Sequence, residues 1–162
     1  MSQQPVFDPN DFLNKAPFVD IKATNPKDAI GSTKLDMGLV PSTAMAYMAL
    51  AFTEGALKYG RYNWRIAGVR ASIYYAAAMR HLGKYWNGEW VDPKTQVPHL
   101  ASVMACCAII LDAERLSKLT DDRPPEALNL GALIDNMSAA VAHLQREFAE
   151  HTPHQYTIND KA

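Results

Sequence analysis

The segment that most constrains the fold is residues 99–119, with the sequence HLASVMACCAIILDAERLSKL. Pro98 stands just before it, a common position for proline at the start of a helix. The apolar residues lie nearly all round this predicted helix, so it must be covered on several sides. The pattern therefore predicts the central helix of a bundle.

A second helix is predicted over residues 43–59, which are rich in Ala, Met and Leu. Ser42 is a suitable N-cap, and Gly60 is a suitable stop. The following segment, NWRIAGVRAS, is predicted to be a linker.

A third helix, IYYAAAMRHLGKYWNG, opens at Arg70 or Ser72. Its large apolar residues recur at helical spacing and predict a buried stripe. These residues are Tyr75, Met79, Leu82 and Trp86. The segment EWVDPKTQVP then reads as a loop, with Pro93 and Pro98 marking its bends.

A last helix, GALIDNMSAAVAHLQREFAEH, follows the predicted linker TDDRPPEALN. It has one narrow apolar stripe, formed by Leu130, Ile134, Met137, Val141, Leu144 and Phe148. No segment alternates with period two, so the predicted fold is all-α. The predicted divisions are an N-terminal arm over 1–41, a helical core over 42–125, and a C-terminal helix and tail over 126–162.

The N-terminal arm is predicted to be extended, because it is rich in proline and lacks a sustained apolar period. Its segment NPKDAIGSTKLDMGLVP contains Lys34 among several charged residues. Two interpretations stay open: a loop that contacts phosphate, although the P-loop spacing is absent, or a plain surface arm.

Composition excludes several functions. The formal charge is -1, from 16 Lys+Arg against 17 Asp+Glu, so a general nucleic-acid binder is not expected. The adjacent Cys106 and Cys107 fit neither a disulfide framework nor a zinc site. No secretory signal or membrane span is evident, since the longest apolar run falls short of the roughly 20 residues that a bilayer requires. A soluble protein of the cytoplasm is expected.

Candidate site residues begin with Glu54 and Lys58, four positions apart on a predicted helix. A surface salt bridge is one interpretation. The other is functional, because the apolar flanks place Glu54 near a face that must pack, where a carboxylate needs a cation or a metal.

Further candidates follow along the chain. Arg80, His81 and Lys84 put three nitrogen-bearing groups on one helix, and Trp86, Glu89 and Asp92 come next. Arginine and lysine suit phosphate, carboxylates suit Mg²⁺, and an aromatic ring can stack on a base. His99 starts the central helix, where it either faces a phosphate or merely caps the helix. Asp112 and Glu114, about 20 Å further along, are predicted to lie outside the site.

Three runs, EGALKYGRYNWR, YYAAAMRHLGKYWNGEWVDP and PHLASVMACCAIILDA, resemble the phage-encoded dATP/dGTP diphosphohydrolases, distant members of the MazG-like all-α nucleotide pyrophosphatases. The similarity covers roughly residues 25 to 125. It implies a helical, usually oligomeric enzyme that uses Mg²⁺ or Mn²⁺ to hydrolyse a deoxynucleoside triphosphate to its monophosphate and pyrophosphate.

The resemblance also implies roles for individual residues. The implied catalytic residues are Glu54, His81 and Asp92. The implied metal ligands are Glu54, Glu89 and Asp92. The implied substrate-binding residues are Lys34, Lys58, Asn63, Trp64, Arg65, Arg80, Lys84, Trp86 and His99.

Two other functions stay open. The chain lacks the helical EExxE and ExxD motifs of MazG-like enzymes, and its only ExxD, from Glu89 to Asp92, lies in a predicted loop. This difference is compatible with a nucleotide-binding regulatory module without catalysis. A partner-docking or virion protein that uses its C-terminal stripe is the third hypothesis. In each case a homo-oligomer, a dimer or higher, is expected, because the C-terminal stripe and the central helix both need covering.

Overall fold

The computed structural model describes residues 25–125 and 129–160. The chain divides into one unit that ends at Pro41 and a second that begins at Ser42. In the first unit, helix α1 (Pro26–Gly31) starts after Asn25, whose side chain accepts a hydrogen bond from the backbone N of Lys27 at 3.0 Å. A 3₁₀ turn (Met37–Leu39) follows. The part of the predicted arm at residues 1–24 lies outside the described residues.

The second unit begins with helix α2 (Ser42–Tyr59). The predicted helix is confirmed, although it starts at Ser42 itself rather than at the next residue. Gly60 follows with φ +88°, a conformation that side-chain-bearing residues rarely adopt, so the predicted stop is confirmed too.

The prediction of a linker after Gly60 is wrong. Residues in this segment form helix α3 (Asn63–Ala67) and strand β1 (Val69–Arg70). Strand β1 pairs in parallel with β2 (Leu119–Thr120), and Val69 lies opposite Leu119. A helix of about one turn and a strand of two residues are too short to produce a periodic pattern, so the sequence gives no signal of them.

Helix α4 (Ala71–Trp86) and helix α5 (His99–Arg115) form the main packing contact, and α2 and α3 also pack on α5. The central position of α5 is therefore confirmed. The helix ends earlier than predicted, because Leu119 belongs to β2. The described buried apolar residues are small: Ala51, Ala71, Val97, Ala101, Ala105 and Ala113.

The predicted buried stripe of α4 is wrong. Tyr75 is 65% exposed and Trp86 is 83% exposed, and Met79 and Leu82 are exposed as well. Helix α4 instead turns its alanine-rich side, including the buried Ala71, toward α5. Small residues let two helices approach closely, whereas periodicity alone does not tell which side of a helix a neighbour covers.

The predicted last helix is confirmed as α6 (Leu130–Glu147), although it ends at Glu147 rather than at His151. It starts after Asn129, whose side chain accepts a hydrogen bond from the backbone N of Ala132 at 3.1 Å. It packs extensively on no other described helix. Its apolar stripe is consequently open to solvent, with Leu130 64% and Phe148 57% exposed. Within residues 25–125 and 129–160, no helix is long and apolar enough to cross a membrane.

Candidate active site

Charged and histidine side chains from four elements lie together at one side of the bundle, and we call them the polar cluster. Helix α2 and helix α4 each supply two residues, the loop after α4 supplies two, and α5 supplies its first residue. The members are Glu54, Lys58, His81, Lys84, Glu89, Asp92 and His99.

His99 is the centre of the polar cluster. It is the only large side chain in the described ranges that is fully buried. Its Nε2 lies 2.9 Å from Oε1 of Glu89, and its Nδ1 lies 2.9 Å from Nδ1 of His81. Its backbone N donates to the carbonyl oxygen of Trp90 at 3.1 Å, which fixes the start of α5 against the loop. His99 therefore does more than cap a helix, since both of its ring nitrogens are engaged.

The hydrogen bonds of His99 assign proton positions along three side chains. Hydrogen bonds from His99 and Lys84 lower the pKa of Glu89, which is then a carboxylate that only accepts. Nε2 of His99 must therefore donate to it. In a neutral imidazole that donates from Nε2, the other ring nitrogen is an acceptor, so Nδ1 of His99 accepts and Nδ1 of His81 donates. The Nε2 of His81 is left with a free lone pair.

His81 is kept neutral by its surroundings. Burial lowers its pKa below the ordinary 6.5, and electrostatic interactions with His99 and Lys84 lower it further. The negative charges of Asp92 and Glu54 oppose this shift but do not reverse it. A neutral imidazole with an available Nε2 can accept a proton from water, so His81 has the properties of a general base.

Two lysines carry the positive charge of the polar cluster. Nζ of Lys84 lies 3.2 Å from Glu89 and 4.0 Å from Asp92. Nζ of Lys58 donates to Glu54 at 2.6 Å, and this hydrogen bond raises the pKa of Lys58. The salt bridge predicted between Glu54 and Lys58 is thus present. Both ammonium groups are about half exposed and can reach a ligand in solvent.

Asp92 organises the loop that follows α4. Its Oδ1 accepts from the backbone N of Lys94 at 3.0 Å and of Thr95 at 3.1 Å. These hydrogen bonds lower its pKa, so the side chain is an anion. One of its oxygens is used by the turn, and the other faces Lys84.

The implied metal ligands do not form a ready-made metal site. Across the part of the chain that the structure describes, no three His, Cys, Asp or Glu side chains converge as metal ligands would. Glu54 is bound to Lys58, and Glu89 is bound to His99 and Lys84. The carboxylates have the chemistry that Mg²⁺ prefers, but their arrangement does not fit a preformed cage.

Trp64 and Arg65, predicted to bind substrate, both form hydrogen bonds to Asp112. Nε1 of Trp64 donates to Oδ2 of Asp112 at 2.6 Å, and the Arg65 guanidinium donates to both carboxylate oxygens at 2.8 Å. Asp112 thus holds α3 against α5. It stands 47 positions from Arg65, and no local pattern in the sequence links the two.

For the remaining predicted site residues, no contact among residues 25–125 and 129–160 assigns a role. Trp86 and Arg80 are exposed on α4. Asn63 begins α3 and is partly buried. Lys34 belongs to the first unit, which is described by itself.

Lysine side chains beside histidines and carboxylates, as in the polar cluster of this helical bundle, are groups that can contact phosphate oxygens. The comparison with known families is more specific. The family described as dATP/dGTP diphosphohydrolase, N-terminal, matches residues 24–123, and the chain belongs to this family. No curated protein and no solved structure matches the chain.

Proposed function

We propose that the protein hydrolyses purine deoxynucleoside triphosphates, dATP or dGTP, to the monophosphate and pyrophosphate. The observation that carries the proposal is the polar cluster, in which the buried His99 links Glu89 to His81 beside two lysines. The cluster lies within the residues that match the diphosphohydrolase family. In a phage-infected cell, this activity would control the nucleotide pool of the host cytoplasm.

The proposed reaction is a direct attack of water on the α-phosphorus. The Nε2 of His81 takes a proton from the water as its oxygen bonds to phosphorus. The bond from the α-phosphorus to the bridging oxygen breaks, and pyrophosphate leaves with the bonding electrons. Glu89 stabilises the proton acquired by the histidine pair, while Lys58 and Lys84 neutralise the departing charge. No covalent intermediate on the protein is required.

The proposal keeps Mg²⁺ or Mn²⁺ as the cofactor. Mg²⁺ is usually bound through one or two carboxylates together with substrate phosphates, rather than in an all-protein cage. Glu54, Glu89 and Asp92 offer carboxylates beside the proposed phosphate site, and each would have to exchange a lysine or histidine partner for the ion. The bound ion would supply further neutralisation of the triphosphate.

The decisive experiment incubates the purified full chain with each dNTP in turn, with Mg²⁺, with Mn²⁺ and with EDTA, and separates the products by ion exchange. We expect dAMP or dGMP and pyrophosphate as the first products. The variant Glu54→Gln should lose most of this turnover, whereas Glu147→Gln on the exposed α6 should keep it. Absence of a monophosphate from every nucleotide would refute the proposal, and orthophosphate as the first product would change the reaction.

A regulatory module that binds nucleotide without turnover is the second candidate. The observation in its favour is that the described carboxylates do not converge on a metal position. This candidate predicts that nucleotides raise the unfolding temperature while no product forms, because a ligand that binds only the folded state stabilises it. Turnover that Glu54→Gln removes would exclude it.

We also propose that the protein is a homo-oligomer, at least a dimer. The exposed apolar stripe of α6 supports this part of the proposal, because a stripe of this length is usually covered.

A further inference from the structure

A cavity of about 890 Å³ opens on the side of α2 that carries no member of the polar cluster, and we call it the groove. Apolar side chains line most of it, with two arginines and an aspartate at one end. The lining includes Met45, Met48, Phe52, Leu57, Trp64 and Ala108. Leu57 is 85% exposed, so the groove is open to solvent.

The groove and the polar cluster lie on opposite sides of the same helix. Residues of an α-helix turn by about 100° each, so Phe52 and Ala56 of the groove project roughly opposite to Glu54 and Lys58. No member of the polar cluster lines the groove. The proposed chemistry therefore does not explain the groove.

The apolar stripe of α6 matches the groove in length and character. The groove residues on α2 run from Met45 to Leu57, about 18 Å at 1.5 Å per residue. Within α6 the stripe runs from Leu130 to Leu144, about 21 Å on the same scale. An amphipathic helix commonly binds a partner by laying such a stripe into an apolar groove.

The chain's own α6 does not occupy the groove, since no residue of α6 lines it. Charge also favours α6 as the occupant. Arg61, a positive charge at the end of the groove, makes no ion pair within the described residues. Glu147 is a negative charge beside the stripe of α6, and its Oε1 lies 3.9 Å from Nδ1 of His143. Arg65 is already neutralised by Asp112.

We propose that α6 of a second copy of this chain lies in the groove. The arrangement is reciprocal, so each copy gives its α6 to the other and receives one in return, as a two-fold symmetric dimer requires. This inference rests on the proposed homo-oligomer and names its surfaces. It does not depend on nucleotide hydrolysis, which is measured in a separate assay.

The test uses one charged substitution on each surface of the full chain. Leu57→Glu places a charge in the groove, and Leu144→Glu places one on the stripe; both positions are exposed, so the fold of the single chain should survive. Ile66→Glu, at a site 83% exposed and outside the groove, is the matched control. Circular dichroism checks that each variant keeps its helices. Molar mass is then measured by light scattering without nucleotide.

We expect a dimer or larger for the wild type and Ile66→Glu, and monomers for Leu57→Glu and Leu144→Glu. A mixture of the two monomeric variants should regain a dimer, because the intact α6 of Leu57→Glu fits the intact groove of Leu144→Glu. A monomeric wild type would overturn the proposal. So would a Leu57→Glu protein that stays dimeric, which would mean that the stripes pair with each other, or a mixture that stays monomeric.

Discussion

The two sides of α2 differ in how completely contacts within one chain satisfy their side chains. On the side of the polar cluster, each charge has a partner: Lys58 on Glu54, and Lys84 on Glu89. Among the described residues, no buried side-chain nitrogen or oxygen lacks a hydrogen bond. On the groove side, Leu57 and Met45 remain exposed to solvent.

This difference follows from the range of the forces involved. Ion pairs and hydrogen bonds need one partner at a fixed distance, and neighbouring turns of the same bundle can supply it. Apolar surface is satisfied only by broad coverage, which a bundle of short helices around an alanine-rich core does not provide. The polar side therefore suits a small anionic ligand, and the apolar side suits a large partner.

The largest effect is expected from removing the proposed base. His81→Asn keeps a polar side chain but loses the basic Nε2, so turnover of dNTP should fall by about 10²- to 10⁴-fold. His143→Asn, which alters an exposed histidine of α6, is the control and should keep its rate. Steady-state kinetics on both variants measures the effect. A fall of less than threefold for His81→Asn would remove the base from the mechanism.

A smaller effect is expected from the lysine of α4. Lys84→Met removes the ammonium group beside Glu89 and Asp92, so the departing pyrophosphate loses one stabilising charge. We expect turnover to fall by about 10²-fold, in the range found when one transition-state donor is removed. Lys118→Met, on the turn before β2, is the matched control. Equal rates for the two variants would place Lys84 outside the reaction.

The pH dependence tests the state of His81. Its pKa is lowered by burial and by His99 and Lys84, so the ring should stay neutral to a pH below 6.5. Turnover should then fall about tenfold per pH unit only below this midpoint. The contribution of His81 to the free energy of unfolding should depend on pH in the same way as turnover. It should be fully present above pH 6.5 and should be lost as the pH falls through the lowered pKa. A midpoint above 6.5, or an unchanged acid limb in His81→Asn, would contradict the assignment.

The core between the two sides should tolerate little added volume. Ala101 is fully buried on α5, so Ala101→Leu should lower the free energy of unfolding by about 1–3 kcal/mol. Ala139→Leu adds the same atoms at an exposed position of α6 and should leave stability nearly unchanged. Urea unfolding of both variants makes the comparison. Equal stabilities would mean that the helices pack less closely than the structure has them.

The smallest effects are expected from two glycines. At Gly68, φ is +74° and an added Cβ would lie 2.9 Å from the carbonyl oxygen of Lys118, so Gly68→Ala should cost about 1–3 kcal/mol. Gly55 lies within α2 with no atom within 4 Å of an added Cβ. Gly55→Ala should therefore stabilise the protein by about 0.5–1 kcal/mol. Opposite signs in thermal unfolding are expected, and a stabilising Gly68→Ala would contradict the turn geometry.

The sequence predicts the residues of the polar cluster, but it does not predict most of the contacts between them. Glu54 and Lys58 form the pair that their spacing predicts, because both lie on one helix four residues apart. The hydrogen bonds that join Glu89, His99 and His81 cross from loop to helix to helix, and no spacing encodes them. The metal ligands, the substrate contacts and the oligomer stay predictions.

By itself, the sequence determined the four long helices, α2, α4, α5 and α6, and the central place of α5, because helical period, capping residues and glycine stops are properties of neighbouring residues. Only the tertiary structure decided which sides are covered. It exposed Tyr75 and Trp86, although their spacing predicts burial, and it brought Trp64 and Arg65 to Asp112. The physical reason is that covering a helix depends on a neighbour distant in the chain, whereas forming the helix depends on hydrogen bonds within it.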